Sequence, residues 1–464
     1  MARLIGHLLK PEIAELIRAR NFTQLRDLLV EFPAVDIAEI FTDLNPEDEA
    51  VLLRILPRHV SAEVFEYLSR SDQEALLHAL AKEDVAAILN DMTADDRTAL
   101  LEELPSAATQ KLLALLSAEE RKVATELLGY PKHSIGRLMT PEFVAIKQNW
   151  TVAEVLSHLR QEERKRDTMN QLYVVDAQGR LVDFVRLRNL VVNPPETPVV
   201  EILEGRYLAL HATDDRETAV ASFRKYDVTI LPVVDSRDEL VGVVTVDDVL
   251  DVAEQEATED MQKLGGMEAL DAPYFKISLR AMLMKRAPWL AILFVSEMFT
   301  STAMGYFEKE IEKAAVLALF LPLILSSGGN SGSQATTLII RAMALRDVAL
   351  GDWWKVFRRE LTMGFFLGCT LATLGVVRIL AWQWLGFKDY GPGYPALAMT
   401  IGGSLVGVVL WGSLMGAMLP IVLRAIRLDP ATCSAPFVAT LVDVTGIIIY
   451  FTVAWQLMLS GQPL

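Results

Sequence analysis

The chain has 464 residues, of which 52% are hydrophobic, and its formal net charge is -16 at pH 7. Charged residues recur every few positions up to about residue 270, whereas apolar runs dominate from residue 287 to residue 459. An acidic surface repels nucleic acid and attracts cations, so we expect no nucleic-acid partner. Cys369 and Cys433 both lie in apolar runs, which excludes a disulfide framework and a thiolate metal site.

The first part of the chain repeats with a period of 24 residues between residues 38 and 125. In each copy a helix-capping residue is followed three positions later by an acid, which favours the start of a helix. The four capping residues are Asn45, Ser69, Thr93 and Ser117. Repeats of this length predict stacked helices, so we interpret residues 1–132 as a small α-solenoid.

The next part predicts a compact α/β unit that occurs twice, over residues 133–198 and 199–245. The second copy contains LPVVD at residues 231–235 and VGVVTVDDV at residues 241–249, and the pair resembles tandem CBS domains. That family binds adenine nucleotides between its two copies. The resemblance implies ATP as a ligand, with Asp248 contacting the ribose, although the equivalent place in the first copy is Asn189.

An acidic segment follows, with seven carboxylates and no basic residue between residues 246 and 260. Like charges three or four positions apart destabilise a helix, so a basic surface or divalent cations must compensate them. Carboxylate oxygens are hard ligands suited to Mg2+, and the segment leads directly to the apolar region. We interpret residues 246–270 as a connecting helix whose stability depends on Mg2+, with a solvated linker as the alternative.

The remaining residues, 271–464, predict a membrane domain, because each of five apolar windows reaches the length of about 20 residues that spans a bilayer. The windows are residues 287–306, 314–343, 361–385, 397–421 and 436–459. Basic residues gather before the first window and after the second and fourth, and positive charge marks the cytoplasmic side. The N-terminus also lacks the pattern of a secretory signal. We therefore expect a multi-pass protein of the cytoplasmic membrane with its N-terminal domains inside and its C-terminus outside.

The second window contains three glycines, at positions 328, 329 and 332, within SSGGNSGSQATT. We expect these glycines to break the helix, so that this stretch faces protein or water. Close packing of helices through small residues is the alternative, but it does not account for Asn330 and Gln334.

The fifth window places one carboxylate, Asp443, near the middle of the membrane. A carboxylate at that depth is costly and is typical of an ion path. An ion pair with Arg341 or Arg378 is the alternative, and Glu297 in the first window is a second candidate for the path.

These motifs together resemble the MgtE family of magnesium channels over essentially the whole chain. The resemblance rests on GGNSGSQATTLIIRA, on the D-P-A sequence that starts at Asp429, and on ATLVDVTGIIIY from Ala439 to Tyr450. It implies a non-enzymatic, Mg2+-selective channel in the lipid bilayer, built as a homodimer whose pore is formed by the second and fifth spans. The fold it implies is an N-terminal α-solenoid, tandem α/β CBS domains, an acidic plug helix and five membrane helices.

The resemblance also implies which residues contact the ion. An acidic ring of one Asp443 from each subunit would hold hydrated Mg2+, beside the Ala439 carbonyl and a turn at residues 328–330. The implied pore residues are Asp443, Ala439, Gly328, Gly329, Asn330 and Gln334. Some relatives carry Asn one turn before this alanine, where this chain has Ala435, so that side-chain contact is lost.

The same resemblance implies that cytosolic Mg2+ bridges the carboxylates of the soluble domains and holds the plug shut. The implied regulatory ligands are Glu63, Asp95, Glu217, Asp227, Asp248, Asp251, Glu256, Glu259 and Asp260. A secondary transporter that exchanges divalent cations for H+ or Na+ is the main alternative. A membrane-anchored nucleotide sensor is a second alternative, although anchoring does not require a carboxylate in mid-membrane.

Overall fold

The computed structural model describes residues 12–459, except 14, 42–43, 45, 162–166, 206, 271–273, 275–276 and 314. The chain forms two compact units, Met1–Glu256 and Ala257–Leu464, and each is described by itself.

The first unit begins with a stack of short helices. They are α1 (Phe22–Leu29), α2 (Ala34–Phe41), α3 (Pro46–Ile55), α4 (Arg58–Glu66), α5 (Arg70–Ala79), α6 (Lys82–Asp91), α7 (Ala94–Glu103), α8 (Ser106–Leu113) and α9 (Ala118–Leu128). Helices α2, α4, α6 and α8 begin 24 residues apart, and so do α3, α5, α7 and α9. The predicted repeat of helix pairs is therefore confirmed.

A hydrogen bond recurs with the same period and ties each helix pair together. Arg97 Nη1 donates to the Leu89 carbonyl at 3.0 Å, and Arg121 Nε donates to the Leu113 carbonyl at 2.8 Å. The equivalent Gln73 Nε2 donates to a carbonyl eight residues earlier at 2.7 Å. Each bond satisfies a carbonyl at a helix end, which is otherwise left without an intrahelical partner.

The predicted helix caps form in two of the three copies that the structure describes. Ser69 Oγ and Ser117 Oγ accept from the backbone amides three residues on, at 3.4 and 3.1 Å. Thr93 differs, because its hydroxyl donates to the Asp96 carboxylate at 2.8 Å and accepts no backbone amide. The fourth residue, Asn45, lies outside the described residues.

Two small sheets complete the first unit, in the order predicted for tandem CBS domains. After the short helix α10 (Ile135–Leu138), the first sheet contains β1 (Ala145–Lys147), β2 (Gln171–Val175) and β3 (Leu181–Arg186), with α11 (Val152–Gln161) and α12 (Leu187–Val192). The second contains β4 (Leu210–His211), β5 (Ile230–Val234) and β6 (Leu240–Thr245), with α13 (Arg216–Tyr226). In each sheet the first two strands are parallel and the last two are antiparallel.

The acidic helix is α14, Val246–Leu264, and it begins directly after β6. Its residues up to Glu256 belong to the first unit and those from Ala257 belong to the second. The acidic segment thus forms one continuous helix, which ends at Leu264, six residues before the end of the predicted connecting segment.

In the described residues of the second unit, five helices are long and apolar enough to cross a membrane. They are span 1 (α15, Leu279–Tyr306), span 2 (α17, Leu321–Ala344), span 3 (α18, Trp353–Trp384), span 4 (α19, Tyr394–Ala425) and span 5 (α20, Ala435–Ala454), and the short α16 (Glu308–Lys313) follows span 1. Spans 2, 4 and 5 supply most of the buried core of this unit.

Span 2 is one continuous helix, so the break expected at its glycines is wrong. A Cβ on Gly328 would meet the side chains of Val408 and Val442 at 2.5 and 2.9 Å, and a Cβ on Gly412 would collide with the Gly328 carbonyl oxygen. The glycines therefore bring spans 2 and 4 into contact, as small residues do in membrane helices. The backbone remains hydrogen-bonded within the helix, which satisfies the constraint that lipid imposes.

The Gly412→Ala variant should test this contact. The added methyl group has no room against the span 2 backbone, and overpacking of this kind costs about 1–3 kcal/mol. We expect the detergent-purified variant to unfold several degrees below wild type in a thermal melt. The matched control is Gly403→Ala on the same helix, where a Cβ would meet only Val453 at 3.5 Å. Equal unfolding temperatures for the two variants would show that the glycine contact does not determine stability.

Candidate functional site

Spans 2 and 5 lie against each other beside the mid-membrane carboxylate. A Cβ on Gly329 would lie 3.3 Å from the Ala439 Cβ, and Ser333 Oγ donates to the Ala435 carbonyl at 3.2 Å. Asp443 is half-buried one turn beyond Ala439 on span 5. The structure thus brings Gly329, Ala439 and Asp443 to one side of the unit, while Gly328 is buried against spans 4 and 5.

Span 2 exposes a polar stripe on the single chain. Its members recur every three or four residues, which places them on one helix face. They are Ser326, Asn330, Gln334, Thr337 and Arg341. Lipid is a poor environment for such a face, so it requires water or protein against it.

Asp443 forms no ion pair with either predicted partner in the described part of the chain. Arg341 belongs to the exposed stripe of span 2. The Arg378 guanidinium lies over the rings of Phe320 and Trp382, at 5.8 and 5.5 Å. The carboxylate is therefore available to a cation.

A second group of carboxylates forms within the first unit, where the solenoid packs against the second CBS copy. Ala94 at the start of α7 and Val249 on the acidic helix belong to the same buried apolar cluster. Their chain neighbours Asp95 and Asp248 are consequently held close enough for their charges to interact. Together with Glu66 and Asp96, whose charges also interact with them, these two acids form the carboxylate cluster.

Burial governs the protonation of this cluster. Desolvation, followed by repulsion from Asp95, raises the pKa of Asp248 to about 8. Desolvation and the neighbouring Asp96 charge raise the pKa of Asp95 to about 6. The same two effects raise the pKa of Glu66 to about 8, although the Thr93 amide donates to Glu66 Oε1 at 2.9 Å. Each carboxylate would be easier to keep charged if a cation were present.

The cluster suits a hydrated divalent ion. It borders a cavity of about 320 Å3 whose lining includes the acids Asp95, Asp248 and Asp251 and the basic side chains of Arg70, Lys132, Arg137 and Arg216. Asp95 Oδ1 is buried and has no hydrogen-bond partner among the described residues. No three carboxylate, imidazole or thiol groups form a ready-made metal site in the part of the chain that the structure describes. Mg2+ keeps several waters and needs only one or two carboxylates, so the arrangement fits Mg2+ rather than a fully dehydrated ion.

Two predicted metal ligands are paired with cations of the chain itself. Arg216 donates to Glu256 Oε1 through Nε and Nη2, at 2.9 and 2.7 Å. Lys263 Nζ lies 2.7 Å from Glu259 Oε1 and 2.6 Å from Asp429 Oδ2. Burial disfavours the ammonium charge, but the hydrogen bonds with both carboxylates outweigh it and raise the pKa of Lys263. Basic residues therefore compensate the negative charge on part of the acidic helix. A basic surface is one of the two compensating features expected from the sequence, and divalent cations are the other.

The remaining predicted ligands occupy separate places. Glu63 is exposed on α4, near enough to Glu66 for the two charges to repel. Glu217 lies in the first turn of α13 and Asp227 at its opposite end, so they are about 15 Å apart at 1.5 Å per residue. Asp260 lies on the acidic helix in the second unit.

Comparison with known proteins connects these features. The family model described as a divalent cation transporter, MgtE, matches residues 321–453. The MgtE intracellular N domain matches residues 32–133, and CBS domains match residues 135–196 and 199–254. The magnesium transporter MgtE of Thermus thermophilus is 44% identical over 332 residues, which are 72% of this chain and 72% of that protein. The chain belongs to the MgtE family.

Other MgtE relatives agree with this assignment. The magnesium transporter MgtE of Enterococcus faecalis is 32% identical over 72% of this chain and 71% of that protein. A crystal structure of the cytosolic domain of the Mg2+ channel MgtE in complex with ATP is 36% identical, with a TM-score of 0.51, and covers 53% of this chain and 100% of its own. The soluble part of a magnesium transporter is 30% identical with the same TM-score and covers 54% of this chain and 99% of its own.

Sequence reasoning missed Glu66 and Asp96, which belong to the carboxylate cluster of this MgtE chain. The repeat contains a clue to Glu66. Asn90, one period later, accepts from the Ser117 amide at 2.8 Å, just as Glu66 accepts from the Thr93 amide. A position that caps the helix of the following repeat must lie beside that helix start, and Asp95 and Asp96 are in the first turn there.

The raised pKa values predict how stability depends on pH. An acid whose pKa is raised by folding stabilises the fold at low pH, and that stability is lost as the pH rises through the folded pKa. Without divalent ions, we expect the first calorimetric transition of the full chain to fall by about 5 °C between about pH 4 and about pH 8. Mg2+ should remove most of this fall.

The Asp248→Asn variant should reduce the dependence of the transition temperature on pH, because it removes a carboxyl group whose pKa folding raises to about 8. Asp238→Asn is the matched control, since Asp238 is exposed in a hairpin turn. A wild-type pH slope in Asp248→Asn would contradict the assignment of a buried, charged cluster.

Proposed function

We propose that this chain is a Mg2+-selective channel that works as a homodimer in the cytoplasmic membrane and is closed by cytosolic Mg2+. The observation that carries this proposal is Asp443, a half-buried carboxylate in a membrane span with no ion pair in the described residues. Membership in a magnesium transporter family supports Mg2+ as the ion that is carried.

The polar stripe of span 2 supports a homodimer. On one copy the stripe of Asn330, Gln334 and Thr337 is exposed at membrane depth. A second copy related by twofold symmetry would cover this stripe with its own and enclose a polar path between them. The two Asp443 carboxylates would then face one path, with Gly329 and Ala439 beside them.

The chemistry of this path suits Mg2+ that keeps its water shell. Mg2+ loses water reluctantly and is bound through few carboxylates. Two carboxylates, backbone carbonyls and the amides of Asn330 and Gln334 would hold the ion by charge and by hydrogen bonds to its waters. Conduction requires binding that is weak enough for release, which contact through water provides.

The carboxylate cluster supports closure by cytosolic Mg2+. Positive charge before span 1 and after spans 2 and 4 supports an orientation with the first unit in the cytoplasm and the C-terminus outside. Mg2+ between Asp95 and Asp248 would cancel their repulsion and keep the acidic helix packed on the solenoid. An ion that binds this arrangement more tightly than the separated one stabilises it, so falling Mg2+ would release the helix and open the pore.

ATP is proposed as a further ligand of the CBS pair, on the basis of the similar cytosolic domain solved with ATP. Two contacts of this chain bear on the site. Asn189 Nδ2 donates to Glu204 at 3.1 Å, and Asp248 Oδ2 accepts from Thr245 at 2.7 Å within the carboxylate cluster. We therefore assign Asp248 to Mg2+ first, with the ribose of ATP as the alternative partner.

The Asp443→Asn variant tests the pore. Loss of the charge should lower Mg2+ flux into liposomes at least about tenfold, because the path then lacks its carboxylate. Asp347→Asn, an exposed residue of the same unit, is the matched control and should keep wild-type flux. Full flux through Asp443→Asn would overturn the pore assignment.

The same liposomes separate a channel from the alternative of a secondary transporter. Flux that continues without any gradient of H+ or Na+ supports a channel. Flux that requires either gradient supports exchange.

Gating is tested with the double variant Asp95→Asn and Asp248→Asn. Neutral amides do not repel each other and bind Mg2+ weakly, so flux should depend differently on Mg2+ at the cytosolic face. We expect the concentration of cytosolic Mg2+ that halves the flux to change at least about fivefold. Asp238→Asn is the control and should show the wild-type value of this Mg2+ concentration. A wild-type value in the double variant would contradict the role of the carboxylate cluster.

A further inference from the structure

Span 1 carries a carboxylate that the proposed pore does not yet use. Glu297 lies within the helix Leu279–Tyr306 and is exposed on the single chain. The exposed residues around it are large and apolar, namely Phe294, Val295, Met298 and Phe299. A charged group at this depth is costly in lipid, so its retention implies water, a cation or a polar partner beside it.

Span 1 packs against span 5 along one regular face. The less exposed residues of span 1 recur every three or four positions, as expected for one side of a helix. They are Trp289, Leu293, Ser296, Thr300, Ala303 and Phe307. Glu297 lies one turn beyond Leu293, about 80° around the helix from the centre of this face, and so flanks it.

Two contacts fix the register between the spans. Trp289 Nε1, ten residues beyond the first residue of span 1, donates at 3.2 Å to Oγ of Ser434, the N-cap of span 5. The rings of Phe307 and Phe451 stack with centroids 4.8 Å apart near the ends of the two helices. Because both pairs advance in the same direction, the two spans run parallel.

This register places Glu297 level with Asp443. Glu297 is eight residues beyond Trp289, and Asp443 is nine residues beyond Ser434. At 1.5 Å per residue these separations are about 12 and about 13.5 Å, so the two carboxylates lie at nearly the same depth. They are also close enough for their charges to repel each other.

Among the described residues, the surroundings of Glu297 and Asp443 contain no ion-pair partner for either carboxylate. Thr300, one turn beyond Glu297, is the buried residue of span 1 with 7% of its surface exposed, and its hydroxyl has no hydrogen-bond partner in the described part of the chain. Buried polar groups normally have a partner, and a water from the shell of a bound ion would provide one.

We propose that Glu297 is a second carboxylate of the ion path, which holds a hydrated Mg2+ together with Asp443. This inference rests on the proposed function, since it requires Asp443 to line the path. A dimer would then present four carboxylates at one depth instead of two. The added charge would strengthen the attraction of divalent over monovalent cations, because the attraction scales with the charge of the ion.

The test measures Mg2+ flux through the purified full-length protein in liposomes over a range of Mg2+ concentrations. Glu297→Gln keeps the shape of the side chain and removes its charge. We expect the Mg2+ concentration for half-maximal flux to rise about tenfold, with maximal flux within about twofold of wild type. Block by cobalt(III) hexaammine, which imitates hydrated Mg2+ and cannot shed its ligands, should weaken by a similar factor.

Glu308→Gln, an exposed acid just beyond span 1, is the matched control and should change neither quantity. Glu297→Asp keeps the charge and should restore most of the affinity. Wild-type affinity and block in Glu297→Gln would overturn the inference. Loss of flux in Asp443→Asn alongside that result would leave the proposed channel intact, whereas full flux in Asp443→Asn would overturn the channel itself.

Glu297→Lys provides a second, independent readout. A fixed ammonium beside the path should abolish Mg2+ flux while the protein still elutes as wild type in size-exclusion chromatography. If Glu297 faces lipid, the long lysine side chain can reach the interface and flux should persist, which would overturn the inference.

Discussion

The first unit depends on apolar packing that holds like charges together. Ala94 and Val249 share one buried cluster, and this contact forces Asp95 and Asp248 toward each other. A fully buried apolar side chain contributes about 1.5–3 kcal/mol, whereas each pKa unit by which a carboxylate is shifted corresponds to about 1.4 kcal/mol. The apolar packing therefore opposes the repulsion between the two carboxylates, and in the proposed gating a bound divalent ion would favour the packed arrangement.

The acidic helix and the residues packed on it contain two groups of carboxylates, and the negative charge of each group is compensated differently. Glu256 and Glu259 are paired with Arg216 and Lys263, which are permanent cations of the chain. The carboxylate cluster instead has a buried oxygen on Asp95 without a hydrogen-bond partner among the described residues. The pairs with Arg216 and Lys263 do not require a bound ion, whereas the proposed gating assigns the response to Mg2+ to the carboxylate cluster.

The second unit likewise exposes polar groups that would be stabilised by an ion or by a second copy of the chain. Glycines 328 and 412 allow spans 2 and 4 to pack closely and turn the polar stripe of span 2 outward. Span 1 adds Glu297 at the depth of Asp443. Both features are costly on a single chain in lipid, and the proposed hydrated path between two copies would satisfy them together.

The sequence by itself determined the solenoid, the CBS pair, the acidic helix and the five spans, because period, capping residues and hydropathy are local properties of the chain. It also singled out Asp443 as a candidate for the ion path, since a carboxylate within an apolar window can be recognised without a structure. Only the tertiary structure decided the rest. Glycine permits both a break and a close contact, and the neighbouring span 4 selected the contact. Whether a carboxylate meets an arginine, as Glu256 does, or another acid, as Asp248 does, depends on residues far away in sequence.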